Sequence, residues 1–194
     1  MNRRQLMTSA LAVAGIAATT TVAAPGFAAP AAPATQAGAD PYAPTEVQIR
    51  DGFPVGSIVV VSDDYFLYHV VAPGRAIRYG VAVGKAELVW KGQATVGRKA
   101  EWPSWTPTPE MIKRSPQQYE KYADGMPGGP KNPLGARAIY LYDKNGNDTA
   151  IRIHGTTEPG SIGRSVSNGC IRMRNEAVMD LFDQVPVGTP VYVY

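Results

Sequence analysis

Short runs of β-branched and aromatic residues, each ended by turn-forming residues, constrain the fold of this chain more than any other feature. The runs lie at residues 58–61, 65–71, 76–83, 93–98, 137–142, 149–153 and 190–194. Runs of this length and composition are typical of β-strands. Asp63-Asp64 and Asn145-Gly146 separate successive runs and predict hairpin turns, Asn145-Gly146 most strongly because both residues tolerate positive φ. The pattern predicts a mainly β fold, arranged as a sandwich or barrel-like sheet.

Helical periodicity is confined to two places. Residues 175–185 carry apolar side chains at helical spacing, with Asn175 as the expected N-cap and Pro186 directly after the last turn. Residues 111–122 predict a second, shorter helix that is interrupted before Pro116. The Gly- and Pro-rich stretch 124–135 predicts an ordered surface loop of the kind that can cover a site. We therefore expect only a few short helices.

The N-terminal residues are typical of an export signal rather than of a folded element. Arg3 and Arg4 precede an apolar run at 11–18, and small residues at 26–28 offer a cleavage site. The paired arginines resemble a twin-arginine signal, with an ordinary secretory signal as the alternative. We assign residues 1–28 to the export signal, 29–54 to an Ala- and Pro-rich spacer and lead-in, and 55–194 to one folded domain. Residues 29–44 are expected to be flexible.

The net charge excludes one class of partner. The full chain carries +3 at pH 7, and Arg3 and Arg4 supply most of that excess, because residues 1–28 contain no acidic residue. A nearly neutral domain lacks the basic surface that nucleic-acid binding requires. The apolar run in the signal is also shorter than the roughly 20 residues of a membrane span. We predict no nucleic-acid partner and no membrane-spanning segment.

The chain contains one cysteine, Cys170, which excludes an internal disulfide and any metal site built from several thiolates. An isolated cysteine is often a small buried apolar residue, but the preceding residues Ser167, Asn168 and Gly169 are typical of a turn. Gly169 has no side chain to block a carbonyl group that approaches the backbone. The Gly169 and Cys170 amides could then form an oxyanion hole, which favours a nucleophilic thiol.

A nucleophilic thiol needs a base, because the thiolate is the reactive form. The chain has two histidines, His69 and His154. His69 lies inside a predicted strand, where a structural role is expected, whereas His154 ends a predicted strand and precedes Gly155. His154 and Cys170 are therefore the pair that the sequence offers for catalysis. No Asp or Asn stands out to orient the imidazole, and a backbone carbonyl would serve.

These residues also resemble a known family. His154-Gly155-Thr156, Ser161-Ile162-Gly163 and the run 167–173 (Ser-Asn-Gly-Cys-Ile-Arg-Met) are similar to the signature of the L,D-transpeptidase (YkuD) catalytic domain. Residues 105–109 and 128–135 are similar to stretches upstream of the active site in that family. The resemblance covers about residues 55–194. It implies a YkuD-like β-sandwich catalytic domain with a few short helices, which agrees with the strand pattern.

Carried over to this sequence, the resemblance implies a role for each motif residue. Cys170 is the nucleophile, His154 is the general base and later acid, and the Gly155 carbonyl holds the imidazole. The amides of Gly169 and Cys170 form the oxyanion hole. The implied substrate-binding residues are Arg172, Asn168 and Ser167. Many members have His where Asn168 stands, and Asn cannot carry a proton near neutral pH, so a mechanism that needs two histidines is not expected here.

The implied reaction is acyl transfer on peptidoglycan stem peptides outside the cytoplasm, in the periplasm or cell wall. Cys170 attacks a tetrapeptide donor, D-Ala leaves, and the thioester passes to an amine to give a 3→3 cross-link, or to an outer-membrane protein. The resemblance implies no cofactor and no metal, and it implies that carbapenems acylate the thiol. Two alternatives stay open: an L,D-carboxypeptidase or other Cys–His peptidase, and a non-catalytic wall-binding module.

Overall fold

The computed structural model of the chain describes residues 40–194, so the predicted export signal and residues 29–39 of the predicted spacer lie outside the described residues. The strands in chain order are β1 (Thr45–Gln48), β2 (Ile58–Val61), β3 (Phe66–Ala72), β4 (Arg75–Gly80), β5 (Val83–Gly84), β6 (Gly92–Glu101), β7 (Arg137–Tyr142), β8 (Asp148–His154), β9 (Ser165–Ser167), β10 (Ile171–Arg172) and β11 (Pro190–Val193). The α-helices are α1 (Pro109–Arg114), α2 (Pro116–Tyr119) and α3 (Asn175–Gln184). Single 3-10 turns lie at Ser62–Asp64, Ala86–Leu88, Glu120–Tyr122 and Pro159–Ser161.

Nine of these strands form one sheet in the order β1-β4-β3-β2-β11-β6-β7-β8-β10, and β5 pairs with β9 in a small second sheet. Most neighbours are antiparallel, but β11 runs parallel to β2, and β10 runs parallel to β8. A bridge between Ala82, just after β4, and Arg172 in β10 joins strands from opposite ends of the order. The sheet therefore curves back on itself and encloses a sandwich-like core, as the strand pattern predicted.

The core is built from the inward-facing residues of alternating strand positions. Ile58, Leu67, Val96, Ile139 and Ile153 are each almost completely buried in one continuous cluster. Side chains of successive strand residues point to opposite faces, so each strand contributes every second residue to this cluster. The buried apolar surface supplies the main stabilisation of the fold.

Helix α3 packs into the same cluster and is held at several points along its length. Its inward face buries Val178 and Leu181. From β4, the Tyr79 hydroxyl donates a 2.5 Å hydrogen bond to the Asp180 carboxylate on α3. From β6, Lys99 Nζ donates to the carbonyls of Phe182 and Val185, at 2.5 and 2.8 Å. Lysine at this position satisfies carbonyls that the end of a helix leaves without partners.

The residues before β2 are packed onto the domain. Strand β1 pairs antiparallel with β4 at the edge of the sheet. Tyr42 fills a slot that two glycines leave open, because a Cβ at Gly80 or Gly163 would lie 2.3 or 2.1 Å from Tyr42 atoms. The Asp40 carboxylate forms an ion pair with Arg174. The expectation of a flexible spacer to residue 44 is therefore wrong for residues 40–44, because aromatic packing and an ion pair fix them.

The segment between β6 and β7 carries α1 and α2. Thr108 caps α1 by accepting a hydrogen bond from the Met111 amide at 3.2 Å. Trp105 packs edge-on against Tyr119 and Tyr122, with ring centroids 6.2 and 5.9 Å apart. We call residues 105–122 the lid segment. Within residues 40–194, no helix is long and apolar enough to cross a membrane.

The other predicted elements agree with the structure in part. The predicted strands at 58–61 and 137–142 have the observed bounds, and α3 ends before Pro186 as expected. The predicted run 76–83 ends as a strand at Gly80. Asn175 is not the N-cap of α3: that position is occupied by Arg174, whose side chain forms no capping bond, while the Asn175 side chain bonds elsewhere.

Candidate active site

The parallel pair formed by β8 and β10 brings the two predicted catalytic residues to one place. In this pair, Ile171 lies opposite Ile153 and Arg172 lies opposite His154. Paired residues present their side chains on the same face of a sheet, and residues two apart share a face. Cys170 directly precedes β10, and its side chain lines the same cavity as His154.

Two cavities meet at Cys170. The smaller, of about 150 Å³, is lined by His154, Glu158 and Arg172. The larger, of about 690 Å³, runs past Arg98, Trp102, Tyr140 and Arg152. The residues that line both cavities are Trp105, Met111, Leu134, Asn168 and Cys170. The thiol is thus reached from two directions under the lid segment.

The His154 ring is buried, and one of its nitrogens faces a backbone carbonyl oxygen. Its Nδ1 lies 2.6 Å from the Gly155 carbonyl oxygen, and because a carbonyl can only accept, Nδ1 carries the proton. Nε2 is then the nitrogen that can accept a proton. Burial lowers the pKa of His154 to about 4, with the positive charges of Arg172 and Arg152 acting in the same direction. The imidazole is therefore neutral at pH 7.

The Cys170 side chain is only partly exposed, and burial raises the pKa of its thiol. The backbone and positive charge of Arg152, with the charge of Arg172, act in the opposite direction. Cys170 Sγ lies 3.8 Å from the Ala150 carbonyl oxygen, a weak S–H contact. With His154 neutral as well, the thiol and the imidazole that line the smaller cavity both rest uncharged.

The turn before Cys170 is fixed by Ser167. Its buried hydroxyl donates a 2.5 Å hydrogen bond to the Cys170 carbonyl and accepts one from the Gly169 amide at 3.2 Å. Gly169 has φ +116°, a conformation that L side chains rarely adopt, and a Cβ there would lie 3.0 Å from the Leu88 carbonyl. Within the described residues, no backbone acceptor takes the Cys170 amide.

The two remaining predicted substrate residues are already bound to protein groups. The Asn168 amide donates to the Tyr119 hydroxyl at 3.1 Å and so connects the catalytic turn to the lid segment. Arg172 forms a 2.9 Å ion pair with Glu158, whose side chain is 69% exposed. Both contacts would compete with a substrate for the same polar groups.

Comparison with known proteins shows which family this chain belongs to. The sequence profile of the YkuD family, the L,D-transpeptidase catalytic domain, matches residues 56–193. The chain belongs to the YkuD family. It is 34% identical over 160 residues to "Probable L,D-transpeptidase ErfK/SrfK" of Escherichia coli, covering 81% of this chain and 50% of that protein. It is 42% identical over 152 residues to "Probable L,D-transpeptidase YbiS" of the same species, covering 76% and 47%. The chain spans about half the length of these curated relatives.

Solved structures support the YkuD fold. A crystal structure from Brucella melitensis is 51% identical and has a TM-score of 0.55, covering 78% of this chain and 92% of that one. That protein is named a probable carnitine operon oxidoreductase, a different class of enzyme from the family match. The Enterococcus faecium L,D-transpeptidase is 18% identical with a TM-score of 0.54, covering 73% and 50%. At that identity the likeness concerns the fold alone.

The YkuD signature residues lie together, although their chemical roles stay predictions. Cys170 and His154 line one cavity, and Gly155 contacts the imidazole as the resemblance implied. The Ser167 hydroxyl is bonded within the turn, and the residue also lines the small cavity. His69 lies away from the site on β3, buried next to α3. Within residues 40–194, no group of three His, Cys, Asp or Glu side chains is placed to hold a metal ion.

Sequence reasoning missed several residues that shape the site. Tyr119 binds Asn168, and Glu158 binds Arg172. The side chain of Asn175 bonds the backbone at Ala136, just before β7, and at Thr156, just after β8. None of these contacts has a signal in the sequence, because the partners are separated by 14 to 49 residues of chain.

Proposed function

We propose that this chain is a peptidoglycan L,D-transpeptidase in which Cys170 carries the acyl group. The observation that supports this most is the position of Cys170, at the junction of two cavities, one of which the neutral His154 also lines. A transpeptidase must bring two chains, an acyl donor and an amine acceptor, to one atom. A site that opens in two directions is suited to that task.

Acylation begins when Cys170 Sγ attacks the carbonyl of the third stem residue and its proton moves to His154 Nε2. The C–N bond to D-Ala then breaks, and His154 returns the proton to the departing amine. The products are free D-Ala and a thioester on Cys170. Because the resting thiol and imidazole are both neutral, proton transfer accompanies the attack instead of preceding it.

Deacylation reverses the proton path. The acceptor amine attacks the thioester, His154 Nε2 takes its proton, and Sγ leaves and recovers that proton. The departing and attacking amines must both reach His154, so both use the small cavity that His154 lines. The acyl chain of the donor lies in the larger cavity, where Tyr140 stacks beneath the guanidinium groups of Arg98 and Arg152 at 3.5 and 4.5 Å.

The oxyanion that forms in each step needs N–H donors at its position. The Cys170 amide is the first donor, because no backbone group in the described chain accepts from it. The Gly169 amide is the second, and its 3.2 Å bond to Ser167 is long enough to be shared with the oxyanion. Ser167 thus aligns the turn.

The small cavity also contains a positive charge, on Arg172, that can bind the carboxylate of the donor. The carboxylate of the terminal D-Ala would meet Arg172, in competition with Glu158. Asn168 takes no part in proton transfer and connects the turn to the lid segment through Tyr119.

We further propose that residues 1–28 direct export to the periplasm or cell wall. The acceptor there is a stem amine or an outer-membrane protein.

Muropeptides bearing tetrapeptide stems test this proposal directly. The reduced chain should release D-Ala and form a 3→3 linked dimer, detected by mass spectrometry, whereas Cys170→Ala should form neither. Formation of tripeptide alone would indicate a carboxypeptidase. Unchanged muropeptides with folded protein would indicate a binding module and overturn the proposal. In parallel, a carbapenem should add covalently to the wild-type chain and not to Cys170→Ala.

A further inference from the structure

Asn175, the first residue of α3, uses its side chain to connect three segments instead of capping its helix. Its Oδ1 accepts from the Ala136 amide at 3.0 Å and from the Thr156 amide at 3.2 Å. Its Nδ2 donates to the Thr156 carbonyl at 3.1 Å. We propose that Asn175 is a positioning residue that sets the tautomer and orientation of His154 through the Gly155 carbonyl. The catalytic consequence rests on the function proposed above.

The connection runs through a single peptide group. The Gly155 carbonyl and the Thr156 amide belong to the same planar unit, because the peptide bond is rigid. His154 Nδ1 binds the oxygen of that unit at 2.6 Å, and Asn175 Oδ1 binds its N–H at 3.2 Å. Fixing the N–H therefore fixes the direction in which the oxygen points, and with it the hydrogen bond that keeps the proton on Nδ1.

Two glycines make room for this side chain. A Cβ at Gly135 or at Gly155 would lie 2.2 Å from Asn175 Oδ1. Gly135 also has φ +65°, which favours glycine. The amide side chain thus sits in a slot between the start of β7 and the loop that follows β8, with the backbone closed around it.

The backbone of His154 itself is held without Asn175. The His154 carbonyl accepts from the Met173 amide at 2.8 Å, and the Gly155 amide donates to the Arg137 carbonyl at 3.0 Å. Loss of the Asn175 side chain should therefore leave the strand in place and free mainly the peptide plane after Gly155. This separates positioning of the imidazole from general support of the fold.

The test compares Asn175→Ala with Asn175→Asp. Alanine removes all three hydrogen bonds. Aspartate keeps an acceptor for both amides but places a second oxygen against the Thr156 carbonyl. The chain has only two histidines, so ¹⁵N spectra of the imidazoles at pH 7 report the tautomer of His154 after assignment with a His154 variant. We expect the wild type to show the Nδ1–H tautomer and Asn175→Ala to show a mixture with Nε2–H.

The rate of carbapenem addition to Cys170 is the second readout, and we expect it to fall at least about tenfold in Asn175→Ala, with a smaller fall in Asn175→Asp. Lys99→Met is the matched control, because it releases the opposite end of α3 from β6. That variant should leave the tautomer and the addition rate unchanged. Folded Asn175→Ala with a wild-type tautomer would overturn the proposal, and so would an equal change in Lys99→Met.

If Asn175→Ala fails to fold, Asn175→Leu, which has nearly the shape of asparagine but no acceptor for the Thr156 amide, carries the same two readouts, and an unaltered tautomer in that variant overturns the proposal as well. The tautomer is measured without turnover. A wild-type chain that forms no 3→3 dimer but shows the tautomer change in the variant would reject the proposed function while supporting the role of Asn175.

Discussion

Lowering the pH should destabilise this domain, and the buried imidazole of His154 should account for a defined share of the loss. Its pKa is about 4 in the folded chain, compared with 6.5 for an ordinary histidine. Between these values the unfolded chain binds a proton that the folded chain does not, so stability is lost as pH falls from about 6.5 to about 4. The loss is complete only below the folded pKa.

The size of the effect follows from the two pKa values. Each pKa unit corresponds to about 1.4 kcal/mol, so the full difference between 6.5 and about 4 is roughly 3 kcal/mol. Between pH 7 and pH 4.5, about 2 kcal/mol of this is lost from the free energy of unfolding. With a urea dependence of about 2 kcal/mol per molar, the unfolding midpoint should fall by about 1 M.

Urea unfolding of the reduced chain at both pH values, followed by tryptophan fluorescence, measures the change. His154→Asn is the matched variant, because its side-chain amide can still donate to the Gly155 carbonyl but does not titrate. Burial also lowers the pKa of His69, which titrates equally in both proteins. The difference between wild type and variant therefore isolates His154. An equal loss of stability in the two proteins would refute a buried, neutral imidazole.

Three further substitutions test particular contacts. Gly155→Ala would place a Cβ 2.2 Å from the side-chain oxygen Oδ1 of Asn175. This substitution should lower the free energy of unfolding by about 1–3 kcal/mol, measured by urea unfolding. Tyr119→Phe removes the hydroxyl that binds Asn168, and amide exchange should become faster in residues 109–122 while the rest of the chain is unchanged. Glu158→Gln releases Arg172 from its ion pair, so the KM for a carboxylate-ended donor should fall about two- to fivefold at constant kcat.

The strands that sequence reasoning found are those with a local signal. The run at 58–61 has turn-forming residues on both sides, and β2 coincides with it. Strands β5, β9 and β10 are two or three residues long, and their pairing partners define them rather than their own composition. Strand β1 is an edge strand with mostly exposed side chains, so it lacks the apolar alternation that marks a buried strand.

The site residues also divide into those that the sequence identified and those that it did not. Cys170 and His154 could be found because the chain offers one thiol and few bases, and the motif around them is distinctive. The ion pair of Arg172 and the hydrogen bond between Asn168 and the lid segment could not be found from the sequence. Each depends on a partner that only folding brings near. Asn175 shows the limit most clearly: helical periodicity located α3 but assigned that side chain to the wrong partners.

The position of β11 has a consequence for how the chain folds. This last strand lies in the middle of the nine-stranded sheet, between β2 and β6. Until residues 190–193 are available, both neighbours have an unpaired edge that is prone to association with other chains. Pairing of Ile58 with Val191 also joins residues far apart in sequence, which slows folding. We expect the domain to assemble only after synthesis of its last strand, and removal of residues 190–194 should prevent folding of the whole domain.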